Sequence, residues 1–470
     1  MSKLPGSLTV VLLLPAIFCF AGCGDKESGP DRDVVVDNTV DTEPDVEQDG
    51  APDSEQDGAP DLVPDATAAA ISFEEVDFHG LEKLSDWGFE LLTGDLNGNG
   101  RQDAVIISHQ PVEEGTVWIY RNNGDFAFEL RQRLEAGEGN DLLLLDINND
   151  FALDLIFAHD WLPLDLFVNT GEGEFEFFAQ SVGESTEIAF GDLDGDGDLD
   201  LMAGTTRSGG ESTVWRNNGS FEFLEEMSGE IGLESEGPSA NILSVDFNED
   251  GLPDTFWGVW TYALVDGFPV IAYQNPDGTF EKGVLPQHAS FNGIPADFNR
   301  DGHMDLLFLF SDATVPDSHP VLFLNDGDAN FTTVNYEELG LPSSISSVAI
   351  PIDFNNDGFP ELITYGYGRT NRLFRNTGGT HFEDITEESG FIVGDNVGYV
   401  LATSDLDNDG DIDIIAMDSH NFGDEEIHVL ENTTTGKSWV KIKLTCDAPS
   451  QGSDMPMLLL HTSWFHLDSL

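Results

Sequence analysis

Seven segments of this chain share one spacing of oxygen-bearing residues, acid-x-Asp/Asn-x-Asp/Asn-x-x-x-acid, beginning at Asp95, Asp146, Asp192, Asp246, Asp297, Asp353 and Asp405. Side chains at alternate positions of a short loop converge on one point, and Ca²⁺ takes about six to eight oxygens from such a set. In the cleanest copy, Asp192, Asp194 and Asp196 supply carboxylates from positions one, three and five, Asp198 a main-chain carbonyl from seven, and Asp200 the closing carboxylate from nine. Gly197 at position six permits the sharp turn between them. A single copy reads equally well as turn punctuation, since Asp, Asn and Gly all favour turns. Seven copies in register favour the cation.

The other candidate ligand sets are Asp95, Asn97, Asn99, Arg101 and Asp103; Asp146, Asn148, Asp150 and Asp154; Asp246, Asn248, Asp250, Leu252 and Asp254; Asp297, Asn299, Asp301, His303 and Asp305; Asp353, Asn355, Asp357, Phe359 and Glu361; and Asp405, Asp407, Asp409, Asp411 and Asp413. Arg101, Leu252, His303 and Phe359 stand at position seven, where only the main-chain carbonyl serves. The loops at Asp192 and Asp405 rank strongest. In the Asp146 copy Phe151 replaces the turn glycine, and a bulky residue at positive φ is costly, so this loop is expected to be distorted or empty. Asn99 lowers the charge of the first copy without removing an oxygen, and the sixth ends in Glu361. An EF-hand is excluded: position twelve falls on residues such as Ile106, Ala203, Trp257 and Phe308, and the flanks are short β-type runs such as Leu306–Phe310.

The loops need a scaffold, and their spacing describes one. Successive first residues lie 51, 46, 54, 51, 56 and 52 positions apart, a period that means a propeller, solenoid or array. Each loop lies between apolar runs; further on comes a strand-like run ending in Asn, as in Val117–Asn122, Leu322–Asn325 and Leu373–Asn376, then a turn and a phenylalanine. Phe126, Phe175, Phe221, Phe280, Phe331 and Phe382 recur at that place and are expected to pack between neighbouring sheets. About four short strands per unit is the content of one propeller blade. The fold class is therefore all-β, a seven-bladed β-propeller with a calcium loop in each blade. Ile71–Val76 resembles the last strand of a unit and is expected to close the ring by pairing into the final blade, which removes exposed sheet edges.

These residues resemble the FG-GAP/VCBS repeat family, which includes the propeller of integrin α chains and many bacterial surface proteins. The resemblance implies Ca²⁺ at the hairpin between the first two strands of each blade, all on one face, with ligands engaging the opposite face. A second resemblance begins near Asn432: Lys437–Leu444 is similar to the opening strand of the ASPIC/UnbV domain that follows such repeats in the cartilage acidic protein group. After Cys446 that pattern is lost, and both a truncated or frameshifted reading frame and a naturally short tail fit the sequence.

Near the amino terminus, the apolar stretch from Leu8 to Phe20 is too short for a permanent membrane helix and leads into Phe20-Ala-Gly-Cys23. This resembles a bacterial lipobox, which implies lipidation at Cys23 and anchoring to a membrane of the cell envelope. The expected organisation is a leader over 1–22, a disordered acidic Pro/Asp-rich tether over 23–68 containing a duplicated Glu-Gln-Asp-Gly-Ala-Pro-Asp, the propeller over 69–436, and the ASPIC-like start and tail over 437–470.

With 89 acidic against 18 basic residues and a formal charge of −71, nucleic acid and anionic membrane faces are poor partners. Repulsion within the loops should link folding to cation binding. The three cysteines provide no disulfide framework. No His-Glu-x-x-His, Gly-x-Ser-x-Gly, Cys-x-x-Cys or phosphate-loop pattern is present. On the face opposite the loops, the connections between second and third strands carry His109, Trp161, Arg207, Trp260, Tyr262, His319, Tyr367, Arg369, His420 and Phe422, a mixture suited to a glycan or protein ligand or to ordinary loop decoration. The sequence thus reads as a recognition or adhesion module, with a polysaccharide lyase or hydrolase built on the propeller face as the alternative.

Overall fold

The computed structural model describes residues 8–10, 442–444 and 70–434, the last without the segments 82–87, 109–116, 136–138, 160–163, 181–186, 197, 205–212, 219–223, 228–230, 234–238, 260–269, 284, 286–292, 310–318, 344, 346–347, 366–370, 392–397 and 419–425. Cys23, the expected tether, Phe221 and the tail beyond 444 lie outside the described residues.

In every repeat the acid at position nine begins the second strand of a blade. Asp103–Ser108, Asp154–His159, Asp200–Gly204, Asp254–Val259, Asp305–Phe308, Glu361–Tyr365 and Asp413–Asp418 are runs of apolar residues flanked on both sides by other strands. Such continuous apolar runs suit a strand buried on both faces. Each pairs antiparallel with the strand before its loop, so that Gly94 faces Asp103, Ala296 faces Asp305 and Ser404 faces Asp413. The candidate metal loops are therefore the hairpins between first and second strands, as the resemblance implies.

Seven four-stranded antiparallel sheets result. Six follow chain order, from the blade of Gly88–Gly94, Asp103–Ser108, Val117–Asn122 and Phe128–Leu134 to that of Val348–Ile352, Glu361–Tyr365, Arg372–Asn376 and Phe382–Asp384. The seventh takes Gly398–Ser404, Asp413–Asp418 and Glu426–Asn432 from the end of the chain and Phe73–Glu75 from its beginning. Phe73 lies opposite Asn432 and Glu75 opposite Leu430, which is the ring closure expected of Ile71–Val76. Leu8–Val10 forms a separate antiparallel pair with Ile442–Leu444.

The apolar core is divided in the same cyclic way. Among the described residues there are seven clusters, each joining two adjacent blades, including one that packs Leu91, Ile106 and Tyr120 of the first blade on Val400, Ile415 and Val429 of the seventh. The outer-strand phenylalanines take the expected place: Phe175, Phe280, Phe331 and Phe382 all pack toward the preceding blade, and Phe73 does so for the seventh. Their partners are the apolar residues at loop position two. Phe73 meets Phe354 edge to face at 5.1 Å, Phe382 meets Phe298 at 6.0 Å, and Phe331 meets Phe247 at 6.2 Å.

Candidate metal centre

Each loop folds around its first aspartate. Asp95 accepts from the N–H groups of Asn99 at 3.0 Å and Gly100 at 2.7 Å, and Asp246, Asp297 and Asp353 accept from the same two positions of their own loops. The side chain at five accepts from the N–H at seven, as Asp301 does from His303 at 3.0 Å and Asp409 from Asp411 at 3.0 Å. Asp192 differs slightly, taking Gly195 and Asp196 on one oxygen. These nested turns require positive φ at position six, seen at Gly100, Gly251, Gly302, Gly358 and Gly410, and also at position four, where Gly98 and Gly195 alternate with Asn149, Glu249, Arg300, Asn356 and Asn408. Asn and Gly enter that region most readily, and this requirement at position four is one the sequence reading missed.

In the Asp146 loop the distortion, one of the two outcomes expected of it, is not seen. Phe151 adopts φ 72° and its N–H reaches Asp146 at 2.7 Å, while Asp150 N–H lies 3.0 Å away on the other oxygen. The loop keeps the hydrogen bonds of its glycine-bearing relatives instead of distorting, because the surrounding bonds hold Phe151 in the left-handed conformation.

The acid at nine is buried in every blade and serves two neighbours at once. One oxygen of Asp413 accepts from Leu406 N–H at position two, 3.0 Å away, and the other from Asn432 N–H at 2.9 Å. Asp103, Asp154, Asp200, Asp254 and Asp305 repeat both bonds, and Glu361 accepts from Phe354. The residue that donates from the end of the third strand is Asn122, Asn169, Asn217, Gln274, Asn325, Asn376 or Asn432, the recurring strand-terminal amide of the sequence pattern. Its side chain donates across the blade boundary to the carbonyl at loop position two of the preceding blade: Asn122 to Leu406, Asn169 to Leu96, Asn217 to Ile147, Gln274 to Leu193, Asn325 to Phe247, Asn376 to Phe298 and Asn432 to Phe354. Followed from acid to amide to loop, these bonds run through all seven blades and return to their start. The sequence displayed this asparagine as a periodic element but gave no sign of its partner, which lies 284 residues away in the case of Asn122.

Electrostatics favour a cation in these loops. Burial pushes the carboxyl of Asp103 up to about 6, those of Asp154, Asp200 and Asp254 up to about 7, and those of Asp305 and Asp413 up to about 8. Main-chain N–H donors pull the other way, and neighbouring loop carboxylates add to the rise. Asp353 and Asp407 are raised in the same manner, to about 7 and about 6, and wholly buried Glu361 is raised well above its ordinary value. Arg216 offsets part of the rise at Asp200 and Arg121 part of it at Asp103, whereas at Asp154, Asp254, Asp305 and Asp413 burial outweighs the main-chain donors and neighbouring carboxylates add to it.

Two loops bring three carboxylates together. One oxygen each from Asp192, Asp194 and Asp200 lie within 4.8 Å of one another, and so do oxygens of Asp405, Asp407 and Asp413. That separation suits a cation held at about 2.4 Å from each oxygen. These are the two loops ranked strongest from sequence, and they alone carry Asp at position three; Asn97, Asn148, Asn248, Asn299 and Asn355 occupy it elsewhere. Two of the Asn loops fit a cation by another sign: Asn97 Oδ1 and Asn148 Oδ1 are buried and accept no hydrogen bond, although buried polar atoms are rarely left so, whereas Asn248, Asn299 and Asn355 accept from the N–H at position five. The two acidic clusters differ in surroundings. Arg216 Nη1 lies 2.9 Å from Asp200, whereas Glu431 adds negative charge beside Asp407.

Of the residues expected on the opposite face, only His319 is described, its ring tilted 41° against that of Tyr336 with centroids 4.3 Å apart. His109, Trp161, Arg207, Trp260, Tyr262, Tyr367, Arg369, His420 and Phe422 lie outside the described residues, as does Gly197.

The FG-GAP-like repeat matches six overlapping segments, 95–157, 146–203, 192–257, 246–308, 297–364 and 353–416, which together contain all seven loops. Among curated proteins, human cartilage acidic protein 1 is 26% identical over 179 residues, covering 35% of this chain and 27% of that protein. The Xenopus tropicalis protein of the same name is 30% identical over 161 residues, covering 31% and 24%. The chain thus spans about a quarter of the length of these relatives. Among solved structures, BBS1N, crystallised in complex with ARL6DN, is similar at 12% identity and a TM-score of 0.48, covering 77% of this chain and 98% of that one. With its repeats matched from residue 95 to residue 416, the chain belongs to the FG-GAP-like repeat family.

Proposed function

We propose that this propeller is a Ca²⁺-binding recognition module, lipid-anchored at Cys23 to a bacterial cell envelope, that presents the face opposite its metal loops to a protein or glycan. The coarser part is firm: an FG-GAP propeller is consistent with a recognition or adhesion module. The observation that carries the Ca²⁺ reading is the pair of converging carboxylate triads, Asp192–Asp194–Asp200 and Asp405–Asp407–Asp413, within a ring of buried acids. When bound, Ca²⁺ supplies positive charge and fixes the hairpins. The residues at one, three, five and nine would hold it by side chains and the residue at seven by its carbonyl.

Lipid anchoring rests on the Phe20-Ala-Gly-Cys23 segment, and the acidic residues of 24–68 suit a spacer that keeps the propeller clear of the membrane. Calorimetric titration of Ca²⁺ into the full chain, with melting followed in parallel, tests the metal reading. Uptake of several ions with a rise in melting temperature, Mg²⁺ being less effective, is the expected result; no uptake and no shift would reduce the repeats to turns. Radiolabelled palmitate incorporation that disappears in Cys23→Ala tests the anchor.

A further inference from the structure

We infer that the amide residue ending each third strand is a positioning residue for the metal loop of the preceding blade, so that each site is completed by its neighbour. This inference rests on the Ca²⁺ reading of the loops. It assigns a role to residues that stand far outside the nine-residue motif.

The argument turns on loop position two, which lies between two ligand positions, one and three. Whatever holds that residue sets the direction of both flanking side chains. In the Asp405 loop, Leu406 donates its N–H to Asp413 at 3.0 Å and accepts on its carbonyl from Asn122 Nδ2 at 2.8 Å. Asn122 is wholly buried and is itself fixed, with Nδ2 also donating to Gln102 at 3.0 Å and Oδ1 accepting from Gly124 at 2.8 Å. The two bonds that fix Asn122, to Gln102 and Gly124, both lie within its own blade and not in the blade of the loop it reaches. In other blades the following blade also grips the side chain at two, as Phe73 does Phe354 at 5.1 Å.

The turn after the amide reaches position three directly. Gly379 has φ 99°, and a Cβ there would lie 2.6 Å from Asn299 Cα of the preceding loop. Gly173 approaches Asn97 in the same way, its added Cβ lying 3.5 Å from Asn97 Cβ. The following blade therefore contacts the ligand-bearing backbone at two successive residues. Partners of this outer kind typically change metal affinity about 10–100-fold when removed.

Blade four gives an internal variant, because Gln274 replaces asparagine and its Nε2 still reaches Leu193 O in the Asp192 loop. The two most acidic loops thus depend on different amides, Asn122 and Gln274.

The test is Ca²⁺ calorimetry on the full chain as wild type, N122A, D407A and the double variant, with melting recorded in chelator and in Ca²⁺. N122A is expected to weaken one tight site about tenfold, to lower the Ca²⁺-induced rise in melting temperature, and to add nothing to D407A, which removes that site directly. Unchanged affinity in N122A, with melting lowered equally in both media, would make Asn122 merely structural and overturn the proposal. If N122A does not fold, Q274N carries the test on the Asp192 loop: it keeps an amide but shortens its reach, and unchanged affinity there overturns the proposal equally. A wild-type chain that takes up no Ca²⁺ overturns the metal reading and this inference together, whereas uptake by wild type with no effect of either amide overturns this inference alone.

Discussion

The loops at Asp405 and Asp146 share a backbone and differ in chemistry. Both fold around a first aspartate, both close on a buried acid, and both accept an amide from the next blade, Asn122 on Leu406 and Asn217 on Ile147. The first has Gly410 at the turn and Asp407 at position three; the second has Phe151 and Asn148. That the second keeps its shape teaches that hydrogen bonding and the neighbouring blade impose the conformation, while the glycine only lowers its cost. What a loop can hold is a separate question, and there the two loops differ in the charge at position three.

The largest effect separating shape from charge should come from pH, because the buried acids of the ring titrate in one direction. In metal-free chain Asp413 is held up to about 8 and Asp154 up to about 7, against an ordinary value of 3.8. A folded-state value above the unfolded one means that the folded chain binds more protons between the two. The contribution is therefore fully present below about 4 and is lost as pH rises through about 7 to 8. In chelator, urea denaturation should show lower stability at pH 8 than at pH 5. Ca²⁺ needs ionised ligands, so in its presence the slope should vanish or reverse. A flat profile in chelator would mean that water or monovalent cations already compensate these groups in both loops.

Exchanging the residue at three should exchange the two sites. Asn148→Asp gives the Asp146 loop the carboxylate count of the Asp405 loop, and Asp407→Asn does the reverse. Ligand charge tunes Ca²⁺ affinity strongly, so a gain and a loss of about tenfold are expected respectively. N148D should also lower the melting temperature in chelator, through one more negative charge in a half-buried, already acidic loop. If calorimetry shows no gain in N148D, Phe151 limits the site after all and the separation of shape from charge fails.

Much of this was legible in the sequence, and the reasons differ by feature. The blade count follows from a period that every loop repeats, and closure by Ile71–Val76 follows because a phenylalanine-bearing outer strand was left over at the start of the chain. The rank of the Asp192 and Asp405 loops is a matter of local composition. The strand-terminal amides were visible as a pattern but their purpose was not, since it depends on contacts between blades; Asn432 and Phe354 are separated by 78 residues. Apolar residues at position two read as ordinary flanking strand until Phe73, Phe331 and Phe382 were seen packed on them from the next blade. Position four gave a mixed signal because Glu249 and Arg300 occupy a conformation that Gly98 and Asn149 enter more readily. Those two residues make contacts between loops: Glu249 pairs with His303, and Arg300 Nη1 donates to Asp357 O at 2.9 Å.

The smallest effect, and the sharpest on the comparison, belongs to Phe151. A non-glycine residue held in the left-handed region costs about 1–3 kcal/mol, and glycine gives back about 0.5–1 kcal/mol through greater freedom when unfolded. Phe151 is only partly buried, so its ring offsets little of the strain. Phe151→Gly should therefore raise stability by about 1 kcal/mol in urea denaturation, equally in chelator and in Ca²⁺. Its Ca²⁺ affinity should stay at the wild-type value, because Asp146, Asn148, Asp150 and Asp154 keep the positions that the ring of hydrogen bonds already gives them. A tighter site in F151G would show that phenylalanine distorts the loop in a way its hydrogen bonds conceal. A loss of stability would show that the phenyl ring packs to more effect than its exposure suggests, and the left-handed turn would then be held by the side chain and not by the hydrogen bonds around it.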